Sequence, residues 1–210
     1  MPELDAIHYA DRAMAPPRRV WAYDLEQLYR DQEPGFVVDV VAHLICWLDS
    51  GGGQESNRFE LREHTRKGAV DHELTLSWDV MRLAEHDPRL ERDLARFRAG
   101  MTLTREDHTK YAAYGLAMVA ISCVLRRRVV GLSFYQAPDL LLDSTPSAVR
   151  GVEVAGRSSK GYAAFHQALE GGYGKPGKRA HLREREDVIE AYVSLWCCEP
   201  MVSVWEKVKP

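Results

Sequence analysis

Apolar residues recur at helical spacing in the first part of the chain. Across residues 35–50 they fall at the i, i+3, i+4 and i+7 positions of an amphipathic helix, which the glycines at 51–53 should end. Residues 57–67 and 71–86 fit either a helix or a strand, and we favour helix for both. The first hundred residues are therefore predicted to be mainly helical.

Two further helices have clear end signals. In the first of them, Asp87 is placed to act as the N-cap, Pro88 takes the first helical position and Gly100 supplies the C-cap. Thr104 and Asp107 stand at the capping-box positions of the second, with Asp in place of the usual Glu. A broad apolar face follows in that helix, so we expect it to pack on a sheet.

From residue 129 onward the apolar period changes to two, which predicts strands. The predicted order is three strands, a helix capped by Ser158 or Ser159, a short helix and two final strands. These segments are 129–136, 138–143, 150–157, 160–171, 178–188, 188–198 and 201–208. With the preceding helix, this order predicts an α/β fold of the α+β type, a mixed β-sheet flanked by helices. We expect residues 101–210 to form this core and residues 1–100 to form a helical region that packs on it or folds separately.

Composition limits the possible classes of protein. With 210 residues, 45% of them hydrophobic, the chain can bury one core or a core and a smaller layer. The sequence has no apolar run near the roughly 18 to 20 residues of a membrane span and no secretion signal at its start, so we expect a cytoplasmic protein without membrane association. It also has no CxxC or zinc-helix spacing, no GxSxG motif, no P-loop and no dinucleotide fingerprint.

Charge is distributed unevenly along the chain. Residues 126–185 hold eleven Lys and Arg against five acids, a net +6, which leaves −9 for the rest of a chain whose total is −3. The overall balance argues against a protein coated for non-specific binding to nucleic acid. The basic segment is compatible either with a phosphate-binding surface or with ordinary solvated helix faces.

Two carboxylates stand out in the hairpin predicted for residues 138–157. If its turn centres on Pro146, antiparallel pairing sets residue i opposite residue 292 − i. Asp139 then lies across from Glu153, with their β-carbons about 4.5 to 5.5 Å apart.

Alternation along the third strand separates the chemistry of its two faces. Glu153, Ala155 and Arg157 share one face, while Val152 and Val154 share the other. Two carboxylates that lie close together repel each other unless one is protonated or a cation sits between them. A hard ion such as Mg²⁺ suits them, because it takes few carboxylates, keeps several waters and can bridge to a phosphate.

On these residues, the segment 104–196 resembles the core of the restriction-endonuclease-like, or PD-(D/E)xK, superfamily. In that superfamily a helix precedes three strands, a second helix and a fourth strand. Its signature is a Pro-Asp at the second strand and a Glu-x-Lys or Asp-x-Lys on the third. Pro138 and Asp139 match the first part and Glu153 matches the Glu, but Ala155 stands where the family has its Lys.

The resemblance implies a Mg²⁺-dependent nuclease, in which Mn²⁺ can take the place of Mg²⁺. Asp139 and Glu153 would hold the metal, and DNA or RNA would be the substrate. Some members of the family recruit the Lys from elsewhere, and Lys160 is the candidate here. Arg157 is a poorer one, since a guanidinium cannot give up a proton.

Structural roles remain open for the same residues. Asp139 can be a turn or capping residue. Glu153 can form an ion pair with Arg157 or Arg150. The arginines at 126–128 are typical of a helix C-terminus, and the tryptophans of the last two strands are typical of core positions.

The sequence thus leaves two functional hypotheses. The first is a metal-dependent hydrolase, a phosphodiesterase that cleaves nucleic acid, or a descendant that binds nucleic acid without cleaving it. The alternative is a non-enzymatic interaction subunit that keeps the nuclease-like fold as a scaffold within a larger assembly or a homo-oligomer. In that alternative, an edge strand such as residues 202–208 would dock with the partner.

Overall fold

A mixed sheet of eight strands runs through the chain. We describe it from a computed structural model, which describes residues 17–49, 53, 55–100, 104–133, 136–172 and 174–210. The strands are β1 (Val20–Asp24), β2 (Ser56–Thr65), β3 (Gly68–Ser77), β4 (Val129–Leu132), β5 (Leu140–Thr145), β6 (Ala148–Arg157), β9 (Val188–Cys198) and β10 (Met201–Lys209). Two short strands, β7 (Gly171–Gly172) and β8 (Lys175–Pro176), pair separately in the loop before the last helix.

The order of strands across the sheet is β1-β3-β2-β10-β9-β6-β5-β4. Parallel pairs join β1 to β3, β2 to β10 and β6 to β9, and the other pairs are antiparallel. The predicted mixed sheet flanked by helices is therefore confirmed. Strands from the first hundred residues continue the same sheet as those of the last hundred.

Helices cover both faces of the sheet. They are α1 (Leu28–Asp31), α2 (Pro34–Leu48), α3 (Val80–His86), α4 (Leu90–Arg98), α5 (Arg105–Ala120), α6 (Gly161–Glu170) and α7 (Lys178–Glu184). One face carries α2 and α5 over the larger core, in which Phe59, Trp196 and Trp205 are buried. The other face carries α6 and α7 over a smaller core that includes Phe165 and Leu182. Within the described residues, we find no helix with the length and apolarity needed to cross a bilayer.

The helix assignment is wrong for residues 57–67 and 71–79. Strands β2 and β3 form an antiparallel hairpin there, and helix α3 begins only at Val80. Buried residues, among them Phe59 and Leu61, alternate with exposed ones along the first half of β2. The outward-facing residues are mostly charged, and this composition resembles that of an amphipathic helix.

Two helix starts also differ from the prediction. Neither Ser158 nor Ser159 caps α6, because Lys160 holds the N-cap position in the left-handed region with φ of 74°. Helix α4 begins at Leu90, after a turn in which the carboxylate of Asp87 accepts the backbone N–H of Arg89. In contrast, the N-cap of α5 is confirmed, since Thr104 Oγ1 accepts the backbone N–H of Asp107 at 3.2 Å and lies 2.8 Å from the Asp107 carboxylate.

The expectation of an edge strand at residues 202–208 is wrong as well. Strand β10 lies inside the sheet, where it is parallel to β2 on one side and antiparallel to β9 on the other. The edges are β1 and β4. A partner could not add a strand to β10, because its backbone groups are already paired on both sides.

The predicted hairpin register is confirmed where it matters for the carboxylates. Leu140 pairs with Val152 and Leu141 with Gly151, as the rule that sets i opposite 292 − i requires. Extended by one residue, this register sets Asp139, the residue before β5, across from Glu153. The turn itself does not centre on Pro146 as predicted, because Thr145 pairs with Ala148 and a register shift lies between Leu142 and Thr145.

Helix α5 approaches β6 closely at Gly156, and this close approach generates a prediction. A β-carbon at Gly156 would lie 2.5 Å from the backbone oxygen of Thr109. Gly156→Ala should therefore push α5 away and lower the free energy of unfolding by about 1 to 3 kcal/mol. Urea denaturation measures this.

The control is Gly35→Ala, in the first turn of α2. Nothing lies within 4 Å of the added carbon there, so that variant should be as stable as the wild type or more stable. Equal stability of the Gly156→Ala variant and the wild type would contradict the close approach.

Candidate functional site

An open cleft of about 780 Å³ lies between the first half of α5 and the second half of β6. Its charged lining residues are Arg105, Glu106, Lys110, Asp139, Arg157 and Lys178. The close packing of α5 against Gly156 sets the width of its floor. The cleft thus gathers side chains from two helices and from both strands of the predicted hairpin.

Two hydrogen bonds hold Asp139 in the cleft. The Tyr114 hydroxyl donates to its Oδ1 at 2.9 Å, and the backbone N–H of Val154 donates to its Oδ2 at 2.7 Å. The segment that carries Asp139 can lie this close to β6 because Gly151 has no side chain, since a β-carbon there would clash with Pro138. Each carboxylate oxygen keeps lone-pair capacity for another ligand.

Tyr114 is fixed as a hydrogen-bond donor. Burial, together with the charge of Asp139 and the hydrogen bond to it, raises the pKa of the Tyr114 hydroxyl far above its ordinary range. The hydroxyl therefore stays protonated and orients Asp139. The Nζ of Lys110 lies 5.6 Å from the centre of the Tyr114 ring, and both residues line the cleft.

Glu153 is buried beside Asp139, with only 7% of its surface exposed. Lys178 Nζ donates to its Oε1, while its Oε2 has no hydrogen-bond partner among the described residues. Burial raises the pKa of the Glu153 carboxyl, the Lys178 charge opposes this, and Asp139 adds to the rise. A buried carboxylate with one oxygen unpartnered is costly, and such groups are enriched at functional sites.

Lys178 reaches Glu153 because a second ion pair anchors its helix. Strand pairing sets Glu153 opposite Val193, and Val193 opposite Glu206, so the two glutamates lie in one row across the sheet. Arg179 Nε donates to Oε1 of the buried Glu206 at 2.8 Å, and its second terminal nitrogen donates to Oε2 at 2.5 Å. An isolated helix as short as α7 is unstable, so these contacts hold its first turn in place.

The structure brings some of the predicted site residues together. Asp139 and Glu153 lie beside each other, but only Asp139 lines the cleft, since Glu153 is buried. Arg157 also lines the cleft, with its guanidinium donating to the Gly156 carbonyl at 2.8 Å. Lys160 is exposed at the start of α6 and is absent from the lining that the described residues define. The Glu153 ion pair is formed with Lys178, whereas the sequence had suggested Arg157 or Arg150.

Sequence reasoning missed Lys178 and Tyr114. Lys178 follows a glycine-rich loop and is separated from Glu153 by 25 positions, a contact that no local spacing signals. Tyr114 was assigned only to the apolar face of its helix. Two arginines of the triplet make structural contacts, with other elements than the helix that precedes them: Arg127 pairs with Glu190 at 2.8 Å and Arg128 donates to the Asp31 carbonyl at 3.1 Å.

The donor set at the cleft fits a small, hard cation. Within the described part of the chain, no group of three or more His, Cys, Asp or Glu side chains is placed to hold a metal. Mg²⁺ does not require one, because it is commonly bound through one or two carboxylates and keeps its waters. Asp139 lines the cleft and keeps lone pairs for an ion, whereas Glu153 Oε2 is buried beside it and would reach an ion only if its side chain turned toward the cleft. Asp139 and Glu153 would hold the ion.

Comparisons of this chain with protein-family models, with curated proteins and with solved structures found no match.

The buried Glu153 carboxyl predicts a pH dependence of stability. Its pKa is raised in the folded state, so the folded protein binds this proton more tightly than the unfolded chain does. The free energy of unfolding should be highest, as far as this group is concerned, below about pH 4.3. It should fall as the pH rises through the raised pKa. Glu153→Gln should remove that fall, so the variant should gain stability relative to the wild type between pH 4 and pH 8.

Urea denaturation at a series of pH values measures the effect. Glu184→Gln is the matched control, since Glu184 is exposed on α7 and has no ion-pair partner among the described residues. A Glu153→Gln difference that stays constant across the pH range would contradict the raised pKa.

Proposed function

We propose that this protein is a nuclease-like, metal-dependent phosphodiesterase that acts on nucleic acid. The observation that carries the proposal is that Asp139 and Lys178 line one open cleft and that both lie beside the buried Glu153, which Lys178 contacts. The two carboxylates would hold Mg²⁺ or Mn²⁺. Lys178 takes the role of the lysine that is missing at position 155.

The order of elements supports a restriction-endonuclease-like core. Helix α5 is followed by β4, β5 and β6, then by α6 and β9, which is the order that the resemblance requires, with the short β7, β8 and α7 inserted between α6 and β9. Pro138 and Asp139 lie directly before the second of these strands, and Glu153 lies on the third. Ala155 packs against the smaller core, so a lysine there would replace a partly buried apolar residue.

Lys178 is suited to replace the absent lysine. Its Nζ contacts the Glu153 carboxylate, the group beside which a lysine at position 155 of β6 would lie. Lys178 reaches this carboxylate from α7. An ammonium group can shift its pKa and transfer a proton, which the guanidinium of Arg157 cannot do. Its helix is anchored through Glu206, so the amine stays in place without a substrate.

The cleft favours a phosphate-containing substrate. Four of its lining side chains are cations, namely Arg105, Lys110, Arg157 and Lys178, whereas Glu106 and Asp139 are its only acidic lining residues among those described. A metal bound by the carboxylates would polarise a phosphoryl oxygen and lower the pKa of a bound water. The chain's own part is to orient Asp139 through Tyr114, to hold Lys178 beside the reaction and to place cations near the developing negative charge.

The interaction-subunit alternative has less support. The strand through which a partner was expected to dock, residues 202–208, is paired on both sides. A protein that retains the cleft without cleaving remains an outcome of the following experiment.

Hydrolysis of single- and double-stranded DNA and RNA tests the proposal. With Mg²⁺ or Mn²⁺ the wild type should degrade at least one of these, and chelation should abolish the activity. Asp139→Asn, Glu153→Gln and Lys178→Met should each lower the rate by about 100-fold or more.

Lys160→Met separates the two lysines. It should leave the rate close to that of the wild type, because Lys160 is exposed at the start of α6 and it is Lys178 that contacts Glu153. If Lys160→Met abolishes cleavage and Lys178→Met does not, the assignment of Lys178 is wrong. If the wild type and all the variants behave alike, the protein is a scaffold.

A further inference from the structure

A second cleft, of about 910 Å³, lies on the other side of α7. Its walls are the end of the β2–β3 hairpin, helix α7 and the last residues of β10. Its basic lining residues are Arg66, Arg179, Arg183, Lys207 and Lys209.

The acidic groups of the second cleft are already partnered. Glu63 Oε2 lies 2.9 Å from Nε2 of the buried His72. Glu206 accepts two hydrogen bonds from Arg179 and lies 3.1 Å from His64 Nδ1. These carboxylates therefore offer little negative charge to the space of the cleft.

Several of the cations are not neutralised in this way. Arg66 and Arg183 are exposed and have no ion-pair partner in the part of the chain that the structure describes. Lys209 Nζ donates to the carbonyl oxygens of Arg185 and Val188, at 2.5 and 2.9 Å, and so keeps its positive charge. The second cleft thus presents a surplus of positive charge.

The basic groups are spread out, and this distribution points to a long anion. Arg66 lies in the β2–β3 turn, and Arg183 lies on α7 one turn after Arg179. A single small anion would need several donors that converge on one point. Cations on separate elements along an open groove are typical of surfaces that bind a nucleic-acid backbone, which presents one charge per nucleotide.

The two clefts are close enough to share one ligand. Lys178 lines the first cleft and the next residue, Arg179, lines the second. Strand pairing sets four residues side by side on neighbouring strands, in the order Glu153, Val193, Glu206 and His64. Three strand spacings, about 14 Å in all, therefore separate Glu153 from His64. At an axial rise of about 3.4 Å per nucleotide in a duplex strand, that distance corresponds to about four nucleotides.

We infer that the second cleft binds the sugar–phosphate backbone of the strand whose phosphate lies in the first cleft. The substrate is then a polynucleotide that extends several nucleotides past the reacting phosphate, and a mononucleotide or a short cyclic diester would fill only part of the surface. This inference rests on the proposed function for its reacting phosphate, although the binding that it predicts does not require cleavage.

The test compares a long ligand with a short one. The double variant Arg66→Glu, Arg183→Glu should bind a 20-nucleotide single strand about tenfold more weakly at low salt, in chelator so that nothing is cleaved. The slope of log affinity against log salt should become shallower by about 0.7 for each phosphate that the variant no longer neutralises. Hydrolysis of bis(p-nitrophenyl) phosphate, which fits in the first cleft alone, should be unchanged.

The matched control is Arg92→Glu, Arg96→Glu. It makes the same change of charge on exposed arginines of α4, and it should bind the oligonucleotide like the wild type. Unchanged urea midpoints establish that both double variants are folded.

The remaining outcomes separate this inference from the proposed function. If the Arg66/Arg183 variant binds like the control, or if the wild type hydrolyses the small diester but does not bind the oligonucleotide, the inference is wrong and phosphodiester chemistry stands. If binding depends on Arg66 and Arg183 and no substrate is cleaved, the inference stands and the catalytic proposal fails.

Discussion

The ion pair between Lys178 and the buried carboxylate of Glu153 is the interaction on which the rest of the site depends. Strand β6 places this carboxylate in the interior, where an unpartnered charge costs several kcal/mol. Lys178 compensates one oxygen and leaves the other without a partner among the described residues. Asp139 stands beside it and raises the cost further. Natural proteins accept local conflict of this kind mainly where chemistry requires it.

The sheet and one short helix produce this arrangement together. In-register pairing puts Glu153 and Glu206 in one row, and consecutive residues of α7 pair with them. The helix is too short to be stable by itself, so the same ion pairs that complete the cleft also hold the helix on the sheet. Because Lys178 lines the first cleft and Arg179 lines the second, α7 links the proposed reaction site to the proposed track for the nucleic-acid strand.

The sequence predicted the features that local rules determine and missed those set by tertiary structure. The rule that sets i opposite 292 − i predicted the pairing beside Asp139 and Glu153, although the turn itself does not centre on Pro146 and a register shift between Leu142 and Thr145 separates it from that pairing. The many charged residues on the outer face of β2 and β3 made the alternation of apolar and polar residues hard to recognise in the sequence. Residue propensities alone fitted either a helix or a strand there, and burial against the sheet selects the strand. Lys178 approaches Glu153 from an element whose position depends on Glu206, so neither its spacing nor its neighbours in sequence could identify it.

We propose that Glu153 is a buried carboxylate whose pKa is raised partly by Asp139 and would be lowered by a cation bound beside the two residues. Carbon-13 NMR of the Glu153 side-chain carboxyl, titrated with and without saturating Mg²⁺, tests it most directly. Without Mg²⁺ the pKa should lie above the ordinary glutamate value, and Mg²⁺ should lower it in the wild type but much less in an Asp139→Asn variant. An ordinary pKa that does not respond to Mg²⁺ would contradict the account.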